Sequence, residues 1–265
     1  MIRTGRMHEQ LPEMKKHPHL GRMQPFRVVG NTYFVGTYQA SSHLIDTGDG
    51  LILIDAGYEK GAYLVLDSIY RLGFRPEDIK YIFLTHWHGD HAEAVPCFVA
   101  LSGAKTLIGA ADAEKAKRYF TPDILLSDGD TLTLGNTTLH FMHTPGHTAG
   151  TMSFFYETEE DGKTLRVGSF GGAGVNTLAR GTFDFEGARE AYLASLDRLR
   201  GEAVDVFIGN HTWNNDTYTR SVAFRAGVGA NPFINPKLFR TFLDACERRL
   251  LAVVKREAAE ERAAR

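Results

Sequence analysis

The chain has 265 residues, 43% of them hydrophobic, enough for a sizeable core in one large α/β unit or two small ones. Thirty basic against 32 acidic side chains leave a net charge of −2, which excludes a chain held to nucleic acid by charge and gives no reason to expect a membrane surface. The two cysteines, Cys97 and Cys246, exclude a disulfide scaffold, a Cys-ligated zinc finger and an iron–sulfur cluster.

Residues 1–24 are basic and polar and read as an N-terminal tail or surface arm, leaving 25–265 as a single domain. They lack the apolar stretch of a secretory signal, and nowhere do 18 apolar residues run together. The chain as given therefore reads as cytoplasmic, or as periplasmic or secreted if a signal has been removed. Apolar strands follow at Phe26–Val35 and His43–Ile54, the second ending LILIDAG. Glu59–Leu72 has helical spacing, with Gly73 as its stop. Lys80–Leu84 is a short apolar strand running into THWHGDH, and Asp90–Ala100 reads as a helix. Next come a strand at Lys105–Ile108, a helix at Ala111–Tyr119 and the hairpin SDGDTLTLGNTTLHF, bent at Gly129 and Gly135. Strands Met152–Tyr156 and Thr164–Phe170 flank the polar turn ETEEDGK. A helix at Glu186–Leu199, a strand at Val204–Ile208 and a long helix from about Pro236 complete the chain. The two halves share an order of strands, helix, strand and histidine-bearing loop. That order predicts two mixed sheets packed together with helices outside, a four-layer α/β/β/α sandwich.

The chemistry lies in the histidines. His86, His88 and His91 fall within THWHGDH, with Asp90 between them. On an extended segment His86 and His88 point the same way. A turn at Gly89 into a helix brings Asp90 and His91 toward the same point. Imidazole with carboxylate suits zinc best, ahead of iron or manganese. Burying such a cluster without a metal would cost several kcal/mol of desolvation. His147 in TPGHTAG and His211 in IGNHTWNND occupy comparable strand-end loops. A lone histidine after a strand is more often a loop residue, so these two gain their reading from the cluster. Six ligands suffice for two metals, with their division left open. His8, His17 and His19 read as tail residues, and His43, His140 and His143 as strand-surface or supporting residues.

The motif HxHxDH, the strand LILIDAG, the hairpin DGDTLTLG and the loop TPGHTAGT together resemble the metallo-β-lactamase superfamily. The NPF segment at Asn231–Phe233 and the absence of a ligating cysteine are most similar to its subclass B3. The resemblance implies that fold, with His86, His88 and His147 holding one zinc and Asp90, His91 and His211 a second. It also implies that Asp55 orients a ligating imidazole from behind, as a buried carboxylate can. In VGSFGGAG, Gly171 and Gly172 stand where glyoxalase II-like thioesterases carry a bridging aspartate and where subclass B3 enzymes commonly carry a nearby serine. That departure argues against the thioesterase branch.

The implied function is a binuclear zinc hydrolase that opens a small cyclic amide, a β-lactam, with a metal-bound hydroxide. Zinc lowers the pKa of bound water to about 7, which supplies the nucleophile. Asp90 would be both ligand and orienter of that nucleophile, and Asn176 would donate to the developing oxyanion. No GxSxG motif offers a serine alternative. The competing reading is a lactonase or other ester hydrolase using the same metals. A non-enzymatic metal protein fits less well, because a structural zinc needs only four ligands. A di-iron reductase would want more carboxylates and a flavin-binding extension. The expected partner is a small-molecule substrate, with neither nucleic acid nor membrane. Trp213 would wall its pocket, whereas Trp87, alternating with its neighbours, should be buried behind the site.

Overall fold

The computed structural model describes residues 10–264. Its first helix, α1 (Leu11–Lys16), has Pro12 in its opening turn and Lys15 and Lys16 in its last, matching the helix dipole. Met14 is wholly buried and Met23 nearly so. The described part of the expected surface arm is thus packed onto the core. Its polar composition hid two isolated apolar anchors. His8 lies outside the described residues.

The strand expected at 26–35 is a hairpin, β1 (Phe26–Val29) and β2 (Thr32–Phe34), turning at Gly30 with φ +46°. A Cβ at Gly30 would lie 2.0 Å from Thr158 Oγ1, so only glycine fits. The strand expected at 43–54 likewise folds back as β3 (His43–Asp46) and β4 (Leu51–Ile54) around the TGDG turn. Helix α2 (Ala62–Arg71) stops before Gly73, which has φ +87°. Strand β5 (Ile79–Phe83) leads to α3 (Gly89–Ala92) and α4 (Val95–Ser102), two helices in place of the one predicted. Pro96 sits in the first turn of α4, where its missing N–H is harmless but an uninterrupted helix would be broken.

The chain continues through β6 (Lys105–Gly109), α5 (Ala113–Ala116), β7 (Ile124–Leu126), β8 (Thr131–Leu134) and β9 (Thr137–His143). Then come β10 (Met152–Glu160), β11 (Lys163–Ser169), α6 (Ala188–Leu199), β12 (Val206–Phe207), α7 (Thr217–Arg225) and α8 (Pro236–Ala263). No helix among the described residues is long and apolar enough to cross a membrane.

The first sheet has the order β1-β2-β3-β4-β5-β6-β7, antiparallel up to β4 and parallel beyond it. The second has the order β12-β11-β10-β9-β8, with only the β11–β12 pair parallel. Both sheets are therefore mixed. Ile52, Phe83 and Leu107 of the first sheet pack against Leu139, Phe141 and Phe154 of the second in one buried layer. On the outer side of the first sheet, Leu53 and Ile82 meet Val65 and Ile69 of α2 and Phe98 of α4. On the far side, Phe155 and Phe207 meet Leu196 of α6 and Phe239 and Leu243 of α8. These contacts make a four-layer α/β/β/α sandwich. Every residue of β4 is buried because helices and the second sheet cover both its faces. Each such large apolar side chain contributes about 1.5–3 kcal/mol. The two sheets are joined at one end by a bond from Met152 N–H to the Thr85 carbonyl (2.9 Å), at the point where β5 runs into the histidine cluster.

Candidate metal centre

Four loops meet at that end: 84–88 after β5, 144–151 between β9 and β10, 170–175 after β11, and 208–215 after β12. With the short helix α3 they bring His86, His88, Asp90, His91, His147 and His211 together in two groups. His86, His88 and His147 form one and Asp90, His91 and His211 the other, with the ligating atoms of each group within 4.8 Å of one another. Ring centroids of His86 and His91 are 4.3 Å apart, so the groups are adjacent.

Four imidazoles are tied back by one ring nitrogen, leaving the other turned inward. His86 Nδ1 donates to the Gly171 carbonyl (3.0 Å), and its Nε2 is buried with no hydrogen-bond partner. His91 Nδ1 donates to Asp55 Oδ2 (2.8 Å), and its Nε2 is likewise buried without a hydrogen bond. His147 Nδ1 donates to the Gly174 carbonyl (2.8 Å), which leaves Nε2 facing His88 Nδ1 at 2.9 Å. His211 Nδ1 donates to the Gln39 carbonyl (2.7 Å), and its Nε2 stands 3.6 Å from Asp90 Oδ2. Buried ring nitrogens without partners are costly unless something occupies the space before them. A cation held by the inward nitrogens and Asp90 satisfies all of them, and the outward bonds fix each ring as metal sites require. The donor set and its geometry fit metal ions.

The electrostatics of the two groups differ. Burial holds the His86 imidazole well below its usual range and lowers His147 to about 3 and His88 to about 4, with neighbouring histidines adding to the effect. Burial also opposes a charged His91, but Asp90 and Asp55 outweigh it and raise that imidazole to about 9. Burial works against a charged Asp90 too, yet His91, His211 and His88 hold its carboxyl down at about 2. Burial, then His91, lowers His211.

Asp55 has the supporting role that the resemblance implies. It accepts from Thr85 N–H (2.8 Å) and Thr85 Oγ1 (2.9 Å) as well as from His91. Its φ of +55° is unusual for a residue with a side chain, and those bonds hold it there. Asp112 does the same for the first group and escaped the sequence reading. Its buried carboxylate takes Trp87 N–H (3.2 Å), Thr148 Oγ1 (2.7 Å) and Gly150 N–H (2.7 Å), clasping the loops of His86 and His147 together. Burial pushes this carboxyl up to about 6.

The two glycines of VGSFGGAG have a steric explanation. A Cβ at Gly171 would lie 2.0 Å from the Met152 carbonyl oxygen, and one at Gly172 would lie 2.7 Å from Thr151 Oγ1. No carboxylate-bearing side chain fits at Gly171, whose carbonyl serves His86 and also accepts from Asn210 Nδ2 (2.6 Å). Tyr192 supports the same loop by donating its hydroxyl to the Ala173 carbonyl (2.8 Å).

A cavity of about 170 Å³ opens above the two groups, walled by Asn176, Trp213 and Arg249. Asn176 begins a short turn, Asn176–Leu178, beside His147. Trp213 lies flat on His211, with centroids 4.4 Å apart. Trp87 faces away from the cavity, packed against the outer layer of the first sheet under Arg118. Among the histidines outside the groups, His43 is buried in β3, His140 is exposed, and His143 Nε2 donates to the Ala149 carbonyl (2.8 Å) in the His147 loop. Gln39 and Arg249 also escaped the sequence reading. Neither has a local signature: one acts through its backbone, and the other sits in an ordinary charged helix.

Several known proteins are similar to this chain. The chain is 37% identical over 140 residues to the lactamase-like protein aptB of Emericella nidulans, which covers 52% of this chain and 40% of the relative. It is 27% identical over 205 residues to the atrochrysone carboxyl ACP thioesterase AgnL7 of Paecilomyces divaricatus, covering 74% of this chain and 57% of the relative. The matches span about half the length of these curated relatives. In structure it is similar to BJP-1, a subclass B3 metallo-beta-lactamase of Bradyrhizobium japonicum, with a TM-score of 0.82 and 28% identity over 92% of this chain and 97% of that one. The sequence pattern of one hydrolytic superfamily covers residues 35–211, from β2 through both histidine groups to His211 itself. On that match the chain belongs to the metallo-beta-lactamase superfamily.

Proposed function

We propose that the protein is a binuclear zinc hydrolase of subclass B3 type that opens a small cyclic amide, a β-lactam. The observation that carries this reading is the pair of adjacent groups, His86/His88/His147 and Asp90/His91/His211, at the floor of an open cavity with their free nitrogens turned inward. Zinc, when bound there, supplies a nucleophilic hydroxide at neutral pH and polarises a carbonyl. The chain's own residues supply the rest. Asp90, its carboxyl held low by His91, His211 and His88 against the effect of burial, can accept a hydrogen bond from the attacking water. Asn176, on the cavity wall, can donate its side-chain amide to the carbonyl oxygen as negative charge develops. Trp213, fixed against His211, gives the cavity one apolar face for the substrate ring.

A second reading, ester or lactone hydrolysis at the same centre, draws support from the thioesterase among the relatives. The closed space at Gly171, which excludes a bridging carboxylate there, favours the amide. The test is metal analysis followed by a panel of β-lactams, lactones and thioesters. Close to two zinc ions per chain with turnover of β-lactams is the expected result. Only trace metal after zinc is supplied, or turnover of esters alone, would overturn it.

A further inference from the structure

Past Leu250, Glu257 is the one buried residue described on α8, 7% exposed and about two turns farther along the same face. A buried carboxylate is costly unless it is bonded, and both oxygens of Glu257 are. Oε1 accepts from Arg180 N–H (2.7 Å) and Oε2 from Arg189 Nη2 (2.6 Å). Arg189, in the first turn of α6, returns to the same stretch of chain by donating Nε to the Leu178 carbonyl (2.7 Å). Glu257 and Arg189 together hold the main chain at residues 178 and 180. Those residues belong to a strap, 176–187, that runs from the cavity wall to α6. At its start Asn176 lines the cavity, and Thr177 Oγ1 donates to the His147 carbonyl (2.7 Å). Farther on, Asp184 accepts from Ala149 N–H (2.9 Å), two residues past His147, and pairs with Lys115 of α5. The His147 loop is thus bonded to the strap at two points, and the strap is bonded to the last helix.

We propose that Glu257 is a positioning residue for the His86/His88/His147 group: it fixes the strap, and the strap, through Thr177, fixes where His147 stands. The inference rests on the metal-centre part of the reading above and deepens it. Neither Glu257 nor Arg189 lines the cavity or belongs to either histidine group, so both act only through the strap. None of the strap's bonds reaches Asp90, His91 or His211. Loss of Glu257 should therefore be felt by one metal and not the other. Glutamine at 257 keeps an oxygen for Arg180 N–H and loses the charge that holds Arg189; alanine loses both.

The test is zinc titration against a competing chelator, which needs no substrate. It compares wild type with Glu257→Ala, Glu257→Gln, Thr177→Val and the double variant Thr177→Val/Glu257→Ala, and His211→Ala identifies which step belongs to which group. Glu257→Ala should weaken the His86/His88/His147 step about fivefold, less than the 10–100-fold of removing a direct orienting partner, and leave the other step within about twofold. Glu257→Gln should fall between wild type and alanine, and it carries the same comparison if alanine impairs folding. The double variant should lose no more than Thr177→Val alone, because the two residues act in one chain of contacts. Glu260→Gln is the control: it removes a charge from the same helix end, where Glu260 pairs only with Arg256, and should match wild type. Equal weakening of both steps, additive losses in the double variant, or wild-type affinity in Glu257→Ala would each overturn the proposal. So would a Glu260→Gln effect as large as that of Glu257→Gln. Wild type that binds no zinc sinks this inference and the hydrolase reading together. Coupled zinc affinities without turnover of any β-lactam sink the hydrolase reading alone, whereas turnover without the coupling sinks Glu257 alone.

Discussion

The two histidine groups are built from nearly the same parts and differ in the charge that stands among and behind them. His86 and His147 are backed by main-chain carbonyls, those of Gly171 and Gly174, and all three imidazoles of that group are held neutral by burial. In the other group His211 is likewise backed by a main-chain carbonyl, that of Gln39, but a carboxylate, Asp90, stands among the three side chains and a second, Asp55, lies behind His91. One group offers lone pairs positioned by backbone; the other offers charge. Backbone support survives most side-chain substitutions, whereas charge can be deleted by a single atom change. The second group is therefore where function should be easiest to break without breaking the fold.

The largest effect follows from Asp90→Asn, which keeps size and removes the charge. Turnover should fall 10²–10⁴-fold, about 3–5 kcal/mol of barrier, while thermal unfolding changes little. Near-full turnover with both metals bound would erase the contrast. His211→Ala comes next. It leaves His86, His88 and His147 intact, so a chelator titration should resolve one tight and one weakened step. Unchanged affinity in both steps would mean that His211 is only a loop residue.

A pair of second-tier carboxylates then tests whether the groups are separable. Asp55→Asn should weaken the Asp90/His91/His211 metal by about 10–100-fold, the usual penalty for losing an orienting partner. Asp112→Asn should act instead on the His86/His88/His147 metal, because its bonds hold those two loops and reach no residue of the other group. If both variants affect both metals equally, the division is wrong. The smallest effect concerns His43, a buried histidine outside both groups, lowered by burial to about 3. Its unfolded form takes up a proton below about 6.5 and its folded form does not, so stability is lost as pH falls below that value. At pH 5.5 the loss is about 1.4 kcal/mol. His43→Phe should remove this share of acid sensitivity in chemical denaturation and leave the histidine groups' share in place.

The two groups that could hold a metal were legible in the sequence because metal chemistry needs several scarce residue types close together, and THWHGDH supplies four within six positions. The sandwich was legible because strand and helix periods alternate along both halves. The hairpins at Gly30 and at TGDG read as continuous strands because the short turns Gly30–Asn31 and Thr47–Gly50 are flanked on both sides by apolar runs, although their residue types are turn formers. The packing of residues 10–24 was hidden because two buried methionines cannot outvote a polar average. Helix α7 carries a weakly amphipathic pattern and was missed entirely. Asp112 was invisible for a different reason: its partners lie 25 to 38 residues away in the chain, and a common charged residue gives no local sign of such a role.

Gln39 faces two ways. Its side chain donates to the Leu11 carbonyl of α1 (3.1 Å), and its own carbonyl receives His211 Nδ1. Helix α1 and His211 are thus bonded to one and the same residue, although about two hundred residues separate them along the chain. Whatever tightens His211 also restrains α1, and whatever loosens α1 gives His211 more freedom. By reciprocity of linked equilibria, amide exchange over residues 11–21 becomes a gauge of occupancy at the Asp90/His91/His211 group, readable without any substrate.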